Sequence, residues 1–159
     1  MKILAVQSRM GIGDTVIFLP FIKALSKKFN SPISILVKEN SKANQYLHQT
    51  KYIDKILTLE RDNKTNNRHG GFFGIFKLAN DLKKYKFDKI FIFNSSLRFN
   101  LVAKISGIPQ IYQYPLFAKN KQHIIEAPKK FLKKNLDLDI NEDPEVPVSY
   151  THLRAHETR

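Results

Sequence analysis

Residues 2–7, Lys2-Ile3-Leu4-Ala5-Val6-Gln7, form an apolar run with no alternation, the pattern of a central parallel strand buried on both faces. Val16, Phe18, Leu19, Ile22, Leu25 and Phe29 then recur at helical spacing. Between the two lies Arg9-Met10-Gly11-Ile12-Gly13-Asp14-Thr15, which reads as a strand-to-helix turn. Gly11 and Gly13 let the backbone turn sharply and let a ligand approach closely. Asp14 is expected at the N-cap, accepting hydrogen bonds from the first free amides of the helix. The carboxyl edge of a parallel sheet, facing a helix N-terminus, is where open α/β folds bind ligands. The position therefore suits Asp14 both to cap and to react.

The same alternation continues along the chain. Residues 33–37 and 54–59 predict a second and third strand, with a short helix over 41–50 between them. The segment 60–71 is polar and reads as a loop, with Arg61, Lys64 and Arg68 available to reach acidic groups. A helix is expected over 72–85, its phenylalanines counted as core. Residues 87–93 form the clearest strand and empty into Asn94-Ser95-Ser96 at another helix N-terminus. Gly107 and Pro109 stop that helix, residues 111–114 predict a fifth strand, and a last helix opens at His123. Strands and helices at this spacing imply βαβ units, hence a Rossmann-like parallel sheet with helices on both faces.

A chain of 159 residues accommodates one such domain and is too short for two. It has no cysteine, in keeping with a reducing compartment, and no apolar run of membrane-spanning length, so the expectation is cytoplasmic. The formal charge of +13 calls for an anionic partner, whether nucleic acid, phosphorylated glycolipid or membrane surface. Residues 149–159, SYTHLRAHETR, carry two Arg and no Lys after 148 residues with four Arg and 21 Lys. This break marks 149–159 as a non-native tail and 1–148 as the domain.

Two familiar phosphate-binding motifs fail at the first turn. A third small residue of the dinucleotide fingerprint is replaced by Val16, and the Lys of a P-loop by Asp14. The stretch Gly11-Ile12-Gly13-Asp14-Thr15, followed by Leu19-Pro20, Ile22 and Leu25, instead resembles glycosyltransferase family nine, the bacterial heptosyltransferases of the lipopolysaccharide inner core. The resemblance continues through Asn94-Ser95-Ser96 and Arg98, where the family has a Gln-Gly pair in place of Ser95-Ser96. It runs on through Leu101 to Pro109, through the helix opening at His123, and to Pro144-Glu145-Val146-Pro147.

The resemblance implies the N-terminal half of a two-domain GT-B glycosyltransferase, transferring a sugar with inversion from a nucleotide sugar such as ADP-heptose to a lipopolysaccharide core acceptor. Asp14 matches the family's catalytic base. Arg9, Gly11, Gly13, Lys64, Arg68, Asn94, Ser95, Ser96, Arg98 and Lys104 are the expected acceptor-side residues. No cofactor or metal is implied, and Asp137-Leu138-Asp139, which mimics a metal-binding D-x-D, is read as linker charge. The partners implied are the donor, bound mainly by an absent second domain, and an anionic glycolipid. Peripheral association with the inner face of the inner membrane is compatible with them; nucleic acid is not among them. A fragment of this kind is expected to be inactive alone. The competing readings are a basic nucleic-acid-binding module, a nucleotide-binding domain of an oxidoreductase and, for Asp14, a helix cap without chemistry.

Overall fold

The computed structural model describes residues 1–7, 12–38, 43, 47, 50–60, 68–114 and 126–140, with the backbone alone at 12–15 and 126. Five strands, β1 (Ile3–Val6), β2 (Ile33–Lys38), β3 (Ile53–Leu59), β4 (Lys89–Ile92) and β5 (Gln110–Gln113), alternate with helices. The helices are α1 (Ile12–Phe29), α2 (Gly71–Lys83), α3 (Leu97–Ile105) and α4 (Glu126–Leu136). The sheet order is β3-β2-β1-β4-β5, and every pairing is parallel. This is the doubly wound arrangement that the βαβ spacing predicted.

Because side chains alternate along a strand, each central strand feeds two cores. Ile3 and Ala5 of β1 join Phe91 of β4 in a cluster with α1 and with Phe131 and Leu132 of α4. Leu4 and Val6 join Ile90 and Ile92 in a second cluster under α2 and α3. The first cluster is rich in aromatic contacts; Phe93 packs edge-on against Phe18, Tyr114 and Phe131. Two-sided burial explains why these strands read as solid apolar runs.

Helix ends follow local chemistry. α3 stops at Gly107, whose φ of +79° favours a residue without a Cβ, and Ile108 N–H then bonds back to Ala103 O at 3.2 Å. Asp137 takes the same left-handed role after α4, with Leu138 N–H on Leu132 O. Lys133 Nζ reaches Asp137 at 2.9 Å and Asp139 at 3.1 Å. The apparent D-x-D is therefore a helix C-terminus engaged by a lysine.

Two expectations are corrected. α1 already begins at Ile12, so Asp14 is the third helical residue and not the N-cap; Gly13 takes helical backbone and the helix starts earlier than the apolar spacing suggested. Phe72, Phe73 and Phe76 are exposed and not core, at 69%, 75% and 47%. The buried stripe of α2 is Gly74, Ile75, Leu78, Ala79 and Leu82, and these three rings fall on the opposite face. Most of the predicted helix over 41–50, the segment 61–67, His123 and the tail 149–159 lie outside the described residues.

Candidate functional site

In an open parallel sheet the ligand crevice opens at the carboxyl ends of the strands, where strand order reverses. Here that point lies between β1 and β4. The β1 side leads to the first turn of α1, which carries Gly13 and Asp14. At that position an acidic residue complements the positive end of the helix dipole. Arg9 and Gly11, in the same turn, and Lys64 lie outside the described residues.

The β4 side is the Asn94-Ser95-Ser96 loop, and it is held from within. Asn94 Oδ1 accepts the Ser96 amide at 3.0 Å, and Ser96 Oγ caps α3 by accepting the Arg98 amide at 3.2 Å. From the end of β5, Gln113 Nε2 donates to the carbonyls of Asn94 at 3.2 Å and Ser96 at 2.7 Å. Asn100 Nδ2 in turn donates to Gln113 Oε1 at 3.0 Å. Ser95 Oγ is buried and has no hydrogen-bond partner among the described residues. The loop thus enters the site already ordered, with Asn94 and Ser96 acting as its fasteners.

Two of the arginines expected to face an acceptor, Arg68 and Arg98, are engaged within the protein. Arg68 forks onto Asp81, with Nη2 2.6 Å from Oδ1 and Nε 3.2 Å from Oδ2. Arg98 Nη1 donates to Gly71 O at 2.7 Å, and its Nη2 donates to His69 O. These bonds tie the start of α2 to α3. Lys104 sits in the last turn of α3, exposed, where a helix following a parallel strand has run back toward the opposite sheet edge.

Reading residues one by one missed the centre of this arrangement. His69 is buried at 4% exposure. Its Nδ1 accepts the Glu60 amide at 3.0 Å, so the neutral ring carries its proton on Nε2, which donates to Asp81 Oδ2 at 2.8 Å. His69 N–H also bonds Glu60 O at 2.8 Å, closing the loop between them. Burial alone would raise the Asp81 pKa, but the hydrogen bonds from Arg68 and His69 and the charge of Arg68 outweigh it and hold the carboxyl below its ordinary value of 3.8. Beside this cluster, a cavity of about 420 Å³ opens between β3 and α2, lined by Leu57, Glu60, His69, Asp81 and Tyr85 among others. No sequence signal marks the cluster, since its members lie on a loop and a helix 12 residues apart. For Gln113 the available signal is a polar residue closing a strand that is otherwise half-buried.

Fold and site together define a Rossmann-like, doubly wound α/β domain with its crevice at the β1/β4 switch point. The chain is similar to a glycosyltransferase of family 9 from Veillonella parvula, with a TM-score of 0.71 and 18% identity over 98% of this chain. It is also similar to ADP-heptose lipopolysaccharide heptosyltransferase II of E. coli, at 0.63 and 16% over 98%. The E. coli heptosyltransferase WaaC, solved with ADP, superposes at 0.56 with 13% identity over 89%. The chain spans about half the length of these proteins, 48%, 49% and 49% respectively. It has the fold of one half of a GT-B glycosyltransferase. No protein-family profile matches the sequence, and no curated protein matches it. Among the described residues no helix is long and apolar enough to cross a membrane, and no group of His, Cys, Asp and Glu is arranged to hold a metal.

Proposed function

We propose that this chain is the acceptor-side, N-terminal half of a glycosyltransferase that moves a sugar with inversion from a nucleotide sugar such as ADP-heptose to an anionic glycolipid of the lipopolysaccharide core. The observation that carries the reading is the place of Asp14. It lies in the first turn of the helix after the central strand, at the switch point, in a chain whose fold matches heptosyltransferases. Inverting transfer needs one general base to take the proton of the attacking hydroxyl while the nucleoside diphosphate leaves from the opposite face. Asp14 supplies the carboxylate. The ordered Asn94-Ser95-Ser96 loop forms the facing wall. Arg9, Gly11, Gly13 and Lys64 complete the acceptor side, and Arg68 and Arg98 act through their bonds to Asp81, His69 and Gly71, which hold the start of α2 in place.

In this reading residues 1–148 are the domain, and the nucleotide sugar is held mainly by a second domain beyond this chain, so the chain alone does not turn over. No metal takes part in the reaction, and no nucleic acid is bound. The protein works in the cytoplasm, in peripheral contact with the inner face of the inner membrane.

Salt-titrated binding of lipopolysaccharide core fragments and of duplex DNA to the chain tests the reading. Core fragments should bind with a weaker salt dependence than DNA and should compete with one another for a single site. Equal affinity for both ligands, with a steep salt slope, would replace the glycolipid reading with nonspecific polyanion binding.

A further inference from the structure

Apart from Met1, every large apolar side chain that is exposed among the described residues lies on α2 or α3. They are Phe72, Phe73, Phe76, Leu97, Leu101 and Ile105, between 38% and 75% exposed. Phe72 packs its ring edge-on against Phe73 and Phe76, at centroid distances of 5.8 and 5.5 Å, so the three form one raised aromatic cluster. Leu97, Leu101 and Ile105 follow at four-residue steps, one line along α3. Both helices cover the same face of the sheet and share one core beneath. Soluble monomers scatter single exposed apolar residues; a set this concentrated marks a docking surface.

The charges of the same surface identify what docks there. Lys77, Lys83, Lys84 and Lys104 are exposed on these two helices and their ends. Asp81 is the one carboxylate either helix contains, and Arg68 and His69 hold it. Aromatic and aliphatic side chains interspersed with lysines, with no free acid, match the boundary of an anionic bilayer, where rings enter the headgroup region and lysines meet lipid phosphates.

We propose that the outer face of α2 and α3 is a membrane-docking surface that takes an anionic lipid bilayer. Helices α2 and α3 run back from the carboxyl edge of the sheet, so Phe72, Phe73 and Leu97, at their N-termini, lie at the end nearest the β1/β4 crevice. Docking by this face sets the crevice beside the lipid surface. The inference stands on exposure and charge, independently of sugar transfer, although it names the surface on which the proposed peripheral association would rest.

Flotation of the 159-residue chain with vesicles of phosphatidylcholine alone, or with 30 mole per cent phosphatidylglycerol, tests it, using about that fraction to reach a cytoplasmic-leaflet surface potential. Binding to the anionic vesicles and little to the neutral ones is expected. Phe73→Ser with Phe76→Ser should lower the partition coefficient at least about tenfold, from the apolar area lost. Lys77→Gln, Lys83→Gln and Lys84→Gln together should lower it by roughly a hundredfold at low salt. The urea midpoints of these variants should match the parent, since all five side chains are exposed, and Lys55→Gln on β3 should leave partition unchanged. Failure to float with anionic vesicles would overturn the proposal, as would a partition coefficient indifferent to the Phe variants. So would Phe-dependent dimers in sedimentation without vesicle binding, which would assign the face to a second copy of the chain. None of these outcomes bears on glycolipid specificity at the crevice, which the core-fragment titration reads separately.

Discussion

His69 Nε2 lies 2.8 Å from Asp81 Oδ2, and because His69 Nδ1 already accepts the Glu60 amide, the histidine is the donor in that contact. One buried imidazole thereby joins the end of β3, the loop after it and the last turn of α2. Asp81 receives Arg68 as well, so a single carboxylate closes the loop that leads to the sheet edge.

Replacing Asp81 with Ala should destabilise the fold by about 1–3 kcal/mol, because a buried ring N–H loses its acceptor. Urea denaturation with matched slopes measures it. An unchanged midpoint would mean that the loop closes without this contact.

Asp81 also sets a pH dependence. Its pKa is depressed in the folded state, so its contribution is fully present above the ordinary value of 3.8 and is lost as pH falls through the lower folded value. The stability difference between parent and Asp81→Asn should therefore be constant above about pH 5 and shrink below pH 4, given that relation. A difference that grew on acidification would contradict the sign.

Gly74 faces the His69 carbonyl so closely that a Cβ would overlap it and would press on Arg98 Nη2 at 2.8 Å. In an open helix Gly→Ala gains about 1 kcal/mol. Here Gly74→Ala should cost about 1–3 kcal/mol instead, as overpacking against backbone does. Thermal unfolding gives the sign directly.

Ser96 caps α3 from the crevice wall, and Ser96→Ala should cost about 1 kcal/mol. Gln113→Leu should loosen the same wall by freeing the Asn94 and Ser96 carbonyls. Faster amide exchange at residues 94–98 in the Gln113 variant, with β1 and β2 unaffected, is the expected signature.

The parallel sheet was legible because each strand is a compact apolar run and each helix repeats apolar residues at its own period. Even Gly107 announced where α3 ends. Faces were harder to read than elements. Phe72, Phe73 and Phe76 count as apolar in any tally, and only the competing stripe of Ile75, Leu78, Ala79 and Leu82 shows that they point outward. Arg98 resisted reading for another reason: its partners are backbone carbonyls 27 and 29 residues away, which leave no trace in residue identity. Lys104 fell within the matched stretch of sequence, but a helix carries its two ends to opposite edges of the sheet.

Asp14 decides the account. In a protein that joins this chain to its donor-binding half, Asp14→Asn keeps the size and polarity of the side chain in the first turn of α1 but removes the proton acceptor. Its folding cost should stay within about 1 kcal/mol, the worth of a charge at a helix N-terminus. Sugar transfer from the nucleotide donor should fall by roughly 10²-fold or more, the usual contribution of a general base, with donor binding unchanged. Parent-level turnover in a correctly folded Asp14→Asn protein would contradict the central claim and leave Asp14 as a residue of the helix terminus alone.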